Sequence, residues 1–591
     1  MKVLLTTLNS KYSHLSLALR YLRAVLRQNP ALEVTLQEFT VNQGADDVLP
    51  ALYAGAYDCV CFSTYIWNVR QTLQLAGCLK KIRPDTRILL GGPEVTHAPA
   101  SILKDHPFID GLILGEGEDT LKRLLEAGFD KPGWQSLAGT AWNTEGGLRI
   151  NPAAQLIADL DTIPFPYDEG EDFSDRLVYY ESSRGCPYHC TYCLSSAEEG
   201  VRFFSLPRVF EDLKWLLAQN IRTVKFVDRT FNLDPARYLP IIDFIEAHDN
   251  GRTCFHFEIS AGILPEEAIR RFTGLRKGLV QFEIGVQSTC PEALRASGRP
   301  DWTEAILKNA AQLRAGDNIH IHLDLIAGLP HEGYERFLES FDAVYRVRPH
   351  LLQLGFLKLI KGTAMRRKAA FYGFQWQEEP PYEVLESKWL TYGELVRLKQ
   401  LEQLLDRYYQ GGRFQRTLPL LESRFETPSA FYTALGDWWT RNGHWDRAVG
   451  QDEGWLLLLA FAEEAGLPAE TVREALRWDR IRHWKPKGFA GTPLGPREPE
   501  KALQHCLLQQ RDKASETWAP YGSGPVKELL KQLHFEVFAS GEAEANSVIW
   551  CFDTRQKPAV PLMRWSLAEA RALMAADPNK EREDSSLEHS D

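Results

Sequence analysis

The chain has 591 residues, of which 44% are hydrophobic and 25% are charged, and its formal net charge is −11. This length predicts about three domains, and the acidic balance argues against a protein that binds nucleic acid mainly through charge. The sequence contains no run of about 18 apolar residues, the length that a membrane-spanning helix needs. Ten cysteines are too few for a disulfide framework, which favours the reducing cytoplasm.

Residues 1–155 alternate between strand-like and helix-like stretches. The runs KVLLTTL and DCVCFSTYI each precede a stretch with apolar residues at helical spacing, and RILLGGPEV reads as a further strand. Such alternation predicts an α/β fold whose N-terminal domain is a doubly wound parallel sheet of the Rossmann-like type. Ligands of such sheets bind at the carboxyl ends of the strands.

Polar residues and glycines follow the strands of this first domain, at the ends where ligands bind. There is no G-x-G-x-x-G after the first strand and no Walker lysine motif, which argues against a dinucleotide. The candidate ligand-contacting residues are Asn9, Ser10, Ser63, Thr64, Tyr65, Trp67, Gly91, Gly92, Glu94, Glu116 and Gly117.

A proline-rich acidic segment, DLDTIPFPYDEG, predicts a linker before the segment RGCPYHCTYCLS. Cys186, Cys190 and Cys193 form a C-x3-C-x2-C pattern in that segment, with Tyr192 just before the last cysteine. Three thiolates on one short loop can hold three irons of a 4Fe-4S cluster and leave the fourth iron open. Half of a zinc site is the alternative, but no second cysteine pair follows to complete it.

The pattern C-x3-C-x-aromatic-C resembles the signature of the radical S-adenosylmethionine (SAM) superfamily. The resemblance implies that the open iron binds the amino and carboxylate groups of SAM. It also implies that an external one-electron reductant of the flavodoxin or ferredoxin type drives cleavage of SAM to a 5'-deoxyadenosyl radical. About six strand–helix units over residues 156–375 agree with the partial (β/α)6 barrel of this superfamily.

The same resemblance implies which residues contact SAM at the strand ends of the barrel. Arg299 matches an arginine that pairs with the SAM carboxylate, for which a guanidinium fork is suited. Gln287 and Asp324 match ribose and adenosine partners, whereas Glu258 and Glu283 have an alternative reading as strand residues paired with a lysine. The implied contacts are Tyr192, Asp228, Glu258, Glu283, Gln287, Arg299, Asp324 and Ile326.

STYIW, GGPE and GEGE at successive strand ends of the first domain resemble the cobalamin-binding domain of B12-dependent radical SAM enzymes. Because the D-x-H-x-x-G motif is absent, the resemblance implies cobalamin bound without a histidine ligand. Tyr65, Trp67 and Asn68 are the candidates for the position beneath the cobalt. A tRNA methylthiotransferase is a rival, but Cys59 and Cys61 lack a third cysteine at a loop end.

Residues 376–591 predict a mainly helical domain with a small strand pair. The run YYQGGRF at 408–414 resembles a motif in a subgroup of B12-binding radical SAM proteins with an uncharacterised helical C-terminal domain. The basic stretch 477–497 is typical of solvated surface. The last stretch, 579–591, has the composition of a disordered tail.

These resemblances imply a cobalamin-dependent radical SAM methyltransferase that acts at an unactivated carbon through a 5'-deoxyadenosyl radical and methylcobalamin. Its expected cofactors are a 4Fe-4S cluster, SAM and cobalamin, and its expected substrate is a small molecule or a peptide. The alternatives are a cyclase or rearrangement enzyme with the same cofactors and, from another class, a non-catalytic cobalamin sensor.

Overall fold

The structure is a computed structural model that describes residues 1–129, 133–197, 200–483, 489–509, 511, 517, 519–521, 525–539 and 547–575. The chain divides into two compact units, residues 1–398 and residues 399–591. The predicted disordered tail and residues 484–488 of the basic stretch lie outside the described residues. No helix in the described part of the chain is both long and apolar enough to span a membrane.

A seven-stranded sheet, which we call the first sheet, opens the first unit, with strand order β2-β1-β3-β4-β5-β6-β7. Its first five strands are parallel, as the sequence predicts, whereas β6 and β7 add an antiparallel edge hairpin that the sequence analysis missed. The strands are β1 (Lys2–Asn9), β2 (Glu33–Thr40), β3 (Cys59–Ser63), β4 (Arg87–Gly91), β5 (Gly111–Ile113), β6 (Thr140–Thr144) and β7 (Gly147–Ile150).

Helices cover both faces of the first sheet. Along β1, Leu4 and Leu8 belong to one apolar cluster, whereas Val3 and Leu5 belong to the cluster on the opposite face. Side chains alternate between the faces of a strand, so this sheet is buried on both sides. The helices are α1 (Leu17–Leu26), α2 (Ala45–Ala54), α3 (Val69–Ile82), α4 (Pro93–Thr96), α5 (Pro99–Asp105) and α6 (Glu118–Ala127).

The second sheet of this unit has six parallel strands in the order β15-β14-β13-β12-β11-β8, which confirms the predicted partial barrel. Its strands are β8 (Leu177–Tyr180), β11 (Thr223–Phe226), β12 (Cys254–Ile259), β13 (Val280–Gln287), β14 (His320–Ala327) and β15 (Leu351–Phe356). Two short hairpins accompany it, β9 (Ser183–Gly185) with β10 (Val201–Phe203) and β16 (Gln375–Trp376) with β17 (Val384–Glu386).

The barrel strands have one apolar face and one polar face. Phe255 and Phe257 of β12 are fully buried, whereas His256 and Glu258, which alternate with them, are partly exposed. Since successive side chains point to opposite faces, the helices pack on the apolar face and the polar face lines an open interior. The helices are α7 (Leu206–Ala218), α8 (Pro235–Ala247), α9 (Glu266–Thr273), α10 (Pro291–Ala296), α11 (Thr303–Ala315), α12 (Tyr334–Tyr345), α13 (Ala364–Arg367) and α14 (Ala369–Tyr372).

The second unit is mainly helical, as predicted, and also holds an antiparallel sheet of three strands rather than the expected pair. The strands are β18 (Leu533–Phe538), β19 (Val548–Asp553) and β20 (Val560–Ser566). The helices are α15 (Tyr392–Tyr408), which begins in the first unit, α16 (Thr417–Glu422), α17 (Pro428–Arg441), α18 (Gln451–Glu464), α19 (Ala469–His483), α20 (Lys501–Gln509), α21 (Val526–Leu529) and α22 (Leu567–Ala575).

Candidate functional site

The cysteine loop leaves the barrel between strands β9 and β10, whose pairing closes its base. Gly185 has a positive φ of 96°, and a Cβ there would lie 2.2 Å from the carbonyl oxygen of Gly200. Only glycine fits this crossing, because any side chain would collide with backbone. Cys186 and Cys190 are buried and Cys193 is partly exposed, so the loop presents its thiols at the mouth of the barrel.

The three thiols act on one another electrostatically. Burial raises the pKa of the Cys186 thiol, and the charges of Cys190 and Cys193 raise it further. Among the described residues, the sulfurs of these three cysteines do not all lie within 4.8 Å of one another. Sulfurs around one zinc ion lie about 4 Å apart. The donor set therefore fits a cluster, which spreads its cysteine ligands over several irons, better than one ion.

Arg299 connects the cysteine loop to strand β13. Its Nη1 lies 3.6 Å from the sulfur of Cys190 and 3.4 Å from the hydroxyl of Tyr192, and its Nη2 donates to the Gly285 carbonyl at 2.8 Å. Burial raises the pKa of Tyr192. The guanidinium is therefore fixed beside the loop, where it could bind a carboxylate next to the metal-binding thiols.

Asp228 occupies a predicted strand end but has a different environment from the expected one. Its carboxylate is fully buried and accepts from the Ser182 amide at 2.8 Å and from the Ser182 and Ser183 hydroxyls at 2.6 Å each. These bonds hold the residues that lead into the cysteine loop. The structure thus uses Asp228 to position the loop and leaves its carboxylate with no free face for SAM.

Carboxylates and cations alternate across the open interior of the barrel. The Lys225 ammonium lies 2.8 Å from Glu283 and 3.8 Å from Glu258, and the His256 imidazole lies 3.1 Å from Glu283. Burial raises the pKa of Glu258. Burial opposes ionisation of Glu283 as well, yet His256 and Lys225 outweigh it and lower its pKa. The lysine pairing that the sequence left open as an alternative is therefore present for both carboxylates.

Asp324 lies deeper in the same interior. Its Oδ1 is 2.8 Å from Nε2 of His322, but the angle makes no hydrogen bond and both atoms lack a partner. Burial raises the pKa of Asp324. Gln287 follows at the end of β13 with a positive φ of 69°, and Ile326 pairs with Gly355 of β15. The structure therefore brings Glu283, His322 and Asp324 together, with ligand atoms within 4.8 Å of one another, and Glu258 lies close enough for both carboxylates to raise its pKa.

The loops after β3 and β4 of the first sheet touch one another closely. Thr64 donates to the Gly91 carbonyl from its amide at 2.8 Å and from its hydroxyl at 2.6 Å. Gly92 has a positive φ of 102°, and a Cβ there would lie 2.4 Å from the Thr64 carbonyl oxygen. The Ser63 carbonyl accepts from Thr7 at 3.0 Å. The Thr64 side chain therefore holds the loops after β3 and β4 together and is not available to a ligand.

An apolar cavity of about 110 Å³ lies at the carboxyl end of the first sheet, between helices α1 and α6. Of the predicted residues it is lined by Ser63, Tyr65, Gly91, Gly92 and Gly117. Ligands bind at this end of parallel sheets. The cavity therefore offers a slot for the tail of a ligand whose body lies outside the sheet.

Tyr65 and Trp67 form a stacked pair beside this slot. Their ring centroids are 4.4 Å apart with planes 4° apart, and Trp67 is 47% exposed. Asn68 is fully buried, and its side-chain amide donates to Thr7, Leu8 and Ser63 at 3.1 Å each. Of the three residues considered for the position beneath cobalt, only the aromatic pair is accessible.

Four of the predicted first-domain contacts have protein partners instead. Asn9 donates to Glu38 at 3.0 Å, and the Ser10 hydroxyl lies 3.3 Å from His14. Glu94 is 2% exposed and accepts from the Tyr382 hydroxyl at 2.7 Å. Glu116 lies 3.3 Å from Arg184 and 2.6 Å from Arg202. Burial opposes ionisation of the Glu116 carboxyl, but the hydrogen bond from Arg202 outweighs it and lowers the pKa.

The three cysteines of the first domain do not form a second metal site. Cys59 and Cys61 lie in β3 with their sulfurs 3.8 Å apart and belong to an apolar cluster. Cys78 lies in α3 and joins no group of three close ligand atoms among the described residues. This arrangement favours core residues over the ligand set that a methylthiotransferase would need.

Sequence reasoning missed several polar residues of the barrel interior. Lys225 was not singled out. Tyr179 of β8 was missed too, and its hydroxyl lies 3.2 Å from Nδ1 of His14 in the first domain. Polar residues at alternate positions, as in FHFEI, were the signal available, because alternation on a parallel strand indicates an open face.

Three family models match consecutive parts of the chain. The B12 binding domain model matches residues 3–125 and the Radical SAM superfamily model matches residues 180–344. A model described as a protein of unknown function (DUF4080) matches residues 370–548. The predicted order of a B12-binding domain, a radical SAM domain and an uncharacterised C-terminal domain is thereby confirmed.

TokK, a cobalamin-dependent radical SAM methyltransferase of Streptomyces tokunonensis, is 25% identical over 311 residues, which are 50% of this chain and 45% of TokK. The chain thus spans less than half the length of this curated relative. TsrM from Kitasatospora setae, a radical S-adenosylmethionine methyltransferase solved with cobalamin and a 4Fe-4S cluster, aligns with a TM-score of 0.54 at 19% identity, covering 64% of this chain and 78% of TsrM. OxsB, a cobalamin-dependent S-adenosylmethionine radical enzyme solved with aqua-cobalamin and S-adenosylmethionine, aligns with a TM-score of 0.57 at 15% identity, covering 81% of this chain and 78% of OxsB. At these identities the two structures show the fold alone.

Proposed function

We propose that this protein, which carries a B12-binding domain and a radical SAM domain, is a cobalamin-dependent radical SAM methyltransferase acting at an unactivated carbon. The observation that supports it most is the geometry around Arg299. The guanidinium lies 3.6 Å from the sulfur of Cys190 in the loop and also donates to the Gly285 carbonyl of strand β13 at 2.8 Å. In this proposal, residues 1–155 bind cobalamin, residues 156–375 carry out the radical reaction, and residues 376–591 have a further role.

The proposed cofactors are a 4Fe-4S cluster, SAM and cobalamin. Bound together, they would supply a carbon-centred radical and a transferable methyl group. Cys186, Cys190 and Cys193 would hold the cluster. TsrM and OxsB, whose folds this chain shares, are described with these groups bound, which supports the assignment.

The residues of this chain would bind and orient SAM at the mouth of the barrel. Arg299 would hold the SAM carboxylate, and Tyr192 would keep the guanidinium in place. Glu258, Gln287 and the backbone at Ile326 lie at strand ends where a nucleoside could be recognised. Asp228 would act as a positioning residue, because it fixes Ser182 and Ser183 before the loop.

The first sheet would hold the cobalamin. Its tail would enter the slot lined by Ser63, Gly91 and Gly117, and the exposed face of the Tyr65–Trp67 pair would lie against the corrin without a histidine ligand. Arg229 of the barrel acts to lower the pKa of Tyr65, and Tyr65 acts to raise the pKa of Tyr179 of β8, which supports a cavity shared by the first sheet and the barrel in this proposal. The substrate would lie in that cavity, between the first sheet and the barrel.

The substrate class that fits this cavity is a polar small molecule or a peptide. Lys225, Glu258, Glu283 and His256 line the interior, so hydrogen-bonding and charged groups on the substrate would find partners there. An external one-electron reductant of the flavodoxin or ferredoxin type would serve the cluster. A cytoplasmic location fits both an oxygen-sensitive cluster and a cysteine count that is too low for a disulfide framework.

The test is anaerobic purification from cells supplied with cobalamin, followed by assays for iron, sulfide and corrin. Reduction in the presence of methyl-deuterated SAM should release 5'-deoxyadenosine and leave a deuterated methyl group on the extracted corrin. Cys190→Ala should lose iron and 5'-deoxyadenosine, whereas Cys78→Ala, which changes a cysteine outside the loop, should lose neither. Release of 5'-deoxyadenosine without any labelled methyl transfer would instead favour the cyclase or rearrangement enzyme.

A further inference from the structure

The second unit contains a cavity that the proposed reaction does not use. Helices α15 and α17 and the start of α18 enclose a space of about 440 Å³. This volume lies in the range of roughly 300–1,000 Å³ that small-molecule sites occupy. The YYQGGRF run forms part of the wall, through Tyr408, Arg413 and Phe414.

The walls of this cavity are aromatic. Phe414 and Trp455 pack with ring centroids 4.1 Å apart, and Trp439 and Trp445 pack at 4.9 Å. Phe414, Trp439 and Trp455 are each at most 4% exposed, so the rings are held rigidly by the helices behind them. Rigid aromatic walls favour a flat apolar body, which gains contact area without ordering flexible side chains.

Two arginines bring positive charge to the same cavity. The Arg407 guanidinium lies 5.3 Å from the ring centroid of Trp439 and donates to the Val449 carbonyl at 3.1 Å. Arg413 donates to the Arg407 carbonyl at 3.4 Å. Burial lowers the pKa of Arg413 and the charge of Arg407 lowers it further. Within the described residues neither arginine belongs to an ion pair, so both charges remain without a counter-ion.

One acidic residue, Asp406, also lines the cavity, although in the described part of the chain it forms no ion pair with either arginine. Asp406 is exposed, and its side-chain hydrogen bond is to Gln410. Its negative charge offsets one of the two positive charges, so the lining keeps one positive charge in excess for a ligand to balance.

Donor atoms of this cavity lack acceptors. Nε of Arg413 and Nε1 of Trp439 are buried, and neither has a hydrogen-bond partner among the described residues. The neighbouring Tyr408 hydroxyl donates to the Gly454 carbonyl at 3.1 Å. A buried donor without an acceptor costs about 1–3 kcal/mol. An oxyanion in the cavity would remove that cost and balance the remaining positive charge.

We propose that this cavity binds a small molecule with a flat apolar body and one carboxylate or phosphate group. Arg413 and Arg407 would bind the oxyanion. Trp445, which is partly exposed, would contact the body together with the accessible edges of Trp439 and Phe414. The ligand could be the substrate of the radical reaction or an effector of it. The inference does not depend on the radical chemistry, because every contact that supports it lies within the second unit.

The test uses the full-length protein and ligand-observed fluorine NMR with 4-fluorophenyl phosphate, 4-fluorobenzoate and the uncharged 4-fluorobenzyl alcohol. We expect at least one anionic probe to show saturable broadening and the uncharged probe to bind at least tenfold more weakly. The two anionic probes distinguish phosphate from carboxylate as the preferred group.

Variants then locate the binding site. Arg413→Gln should weaken binding of the preferred probe about tenfold or more, because it removes a charged donor, and Arg413→Lys should weaken it less. Arg441→Gln should leave binding unchanged, since Arg441 lies on the same helix as Trp439 but its side chain is 63% exposed. Thermal melting checks that each variant is folded.

Three results would overturn the proposal. They are the absence of saturable binding by either anionic probe, equal binding of the uncharged probe, and unchanged affinity in folded Arg413→Gln.

Discussion

Replacing Arg184 by glutamine should destabilise the first unit by about 3–5 kcal/mol, the usual cost of breaking a buried ion pair. The guanidinium lies 2.6 Å from Glu118, 2.7 Å from Glu181 and 3.3 Å from Glu116. The Arg184 side chain is 13% exposed and the three carboxylates are 10–11% exposed. Glu116 would keep Arg202 as its partner, whereas Glu118 and Glu181 would be left as buried, uncompensated charges.

The loss should depend on pH in a defined direction. Even beside Arg184, burial raises the pKa of Glu181 to about 7. Without the arginine, whose charge lowers it, the folded-state pKa of Glu181 should rise further above its unfolded-state value. A carboxyl whose pKa is raised on folding contributes stability that is lost as the pH rises through the folded-state pKa. The deficit of the Arg184→Gln variant should therefore be larger at pH 8 than at pH 5.5.

The assay is urea unfolding at both pH values, with hydrogen exchange of residues 111–118 as the local readout. Arg123→Gln is the matched control, because Arg123 forms an i,i+4 pair with Asp119 and its side chain is 64% exposed. That control should cost less than about 0.5 kcal/mol. A cost below about 1 kcal/mol for Arg184→Gln, or the same cost at both pH values, would refute the reasoning.

Three further substitutions have measurable consequences. Burial raises the pKa of Glu332 to about 7 from an unperturbed 4.5, so its ionisation removes stability between those pH values. Glu332→Gln should therefore raise the free energy of unfolding in urea relative to wild type at pH 8 but not at pH 5, by up to about 3 kcal/mol. Tyr382→Phe should cost about 1–3 kcal/mol, because it deprives the buried Glu94 of a donor at 2.7 Å. Arg299→Lys should raise the SAM dissociation constant about tenfold in equilibrium dialysis, because lysine lacks the planar fork.

Each of these substitutions has an exposed control of the same residue type. Glu335→Gln should leave the pH dependence unchanged, and Tyr392→Phe should leave the urea midpoint unchanged, since Tyr392 is 54% exposed. Arg295→Lys should leave SAM binding unchanged, because the Arg295 side chain is 66% exposed. An effect of a control as large as that of its partner would contradict the burial argument behind the pair.

The parallel strands were predictable because their sequences carry the signal directly. The runs that became β1, β3 and β4 have apolar residues at consecutive positions, as expected of strands buried on both faces. The hairpin of β6 and β7 was not predictable on this basis. Strand β7 is exposed at all of its positions, so its sequence carries no core pattern.

The cysteine loop could be predicted from spacing, whereas the partners of the strand-end carboxylates could not. Asp228, Glu94 and Glu116 do lie at strand ends, as their sequence positions indicated. Each carboxylate is nevertheless bound by a group distant in sequence, and Tyr382 lies 288 residues from Glu94. Which way such a side chain faces depends on packing between sheets, and a single sequence contains no local signal for it.

The anchors on the first sheet have a practical consequence for preparing the holoprotein. On one side Glu116 and Glu118 are tied to Arg184, and on the other Glu94 is tied to Tyr382 and lies 3.6 Å from Lys361. Because these contacts hold both flanks of the first sheet, opening the space beside it widely enough for a molecule as bulky as a corrin would require breaking buried polar contacts. We therefore expect the vitamin to be captured while the chain folds, so that supplying it to the growing culture yields far more loaded protein than adding it after purification.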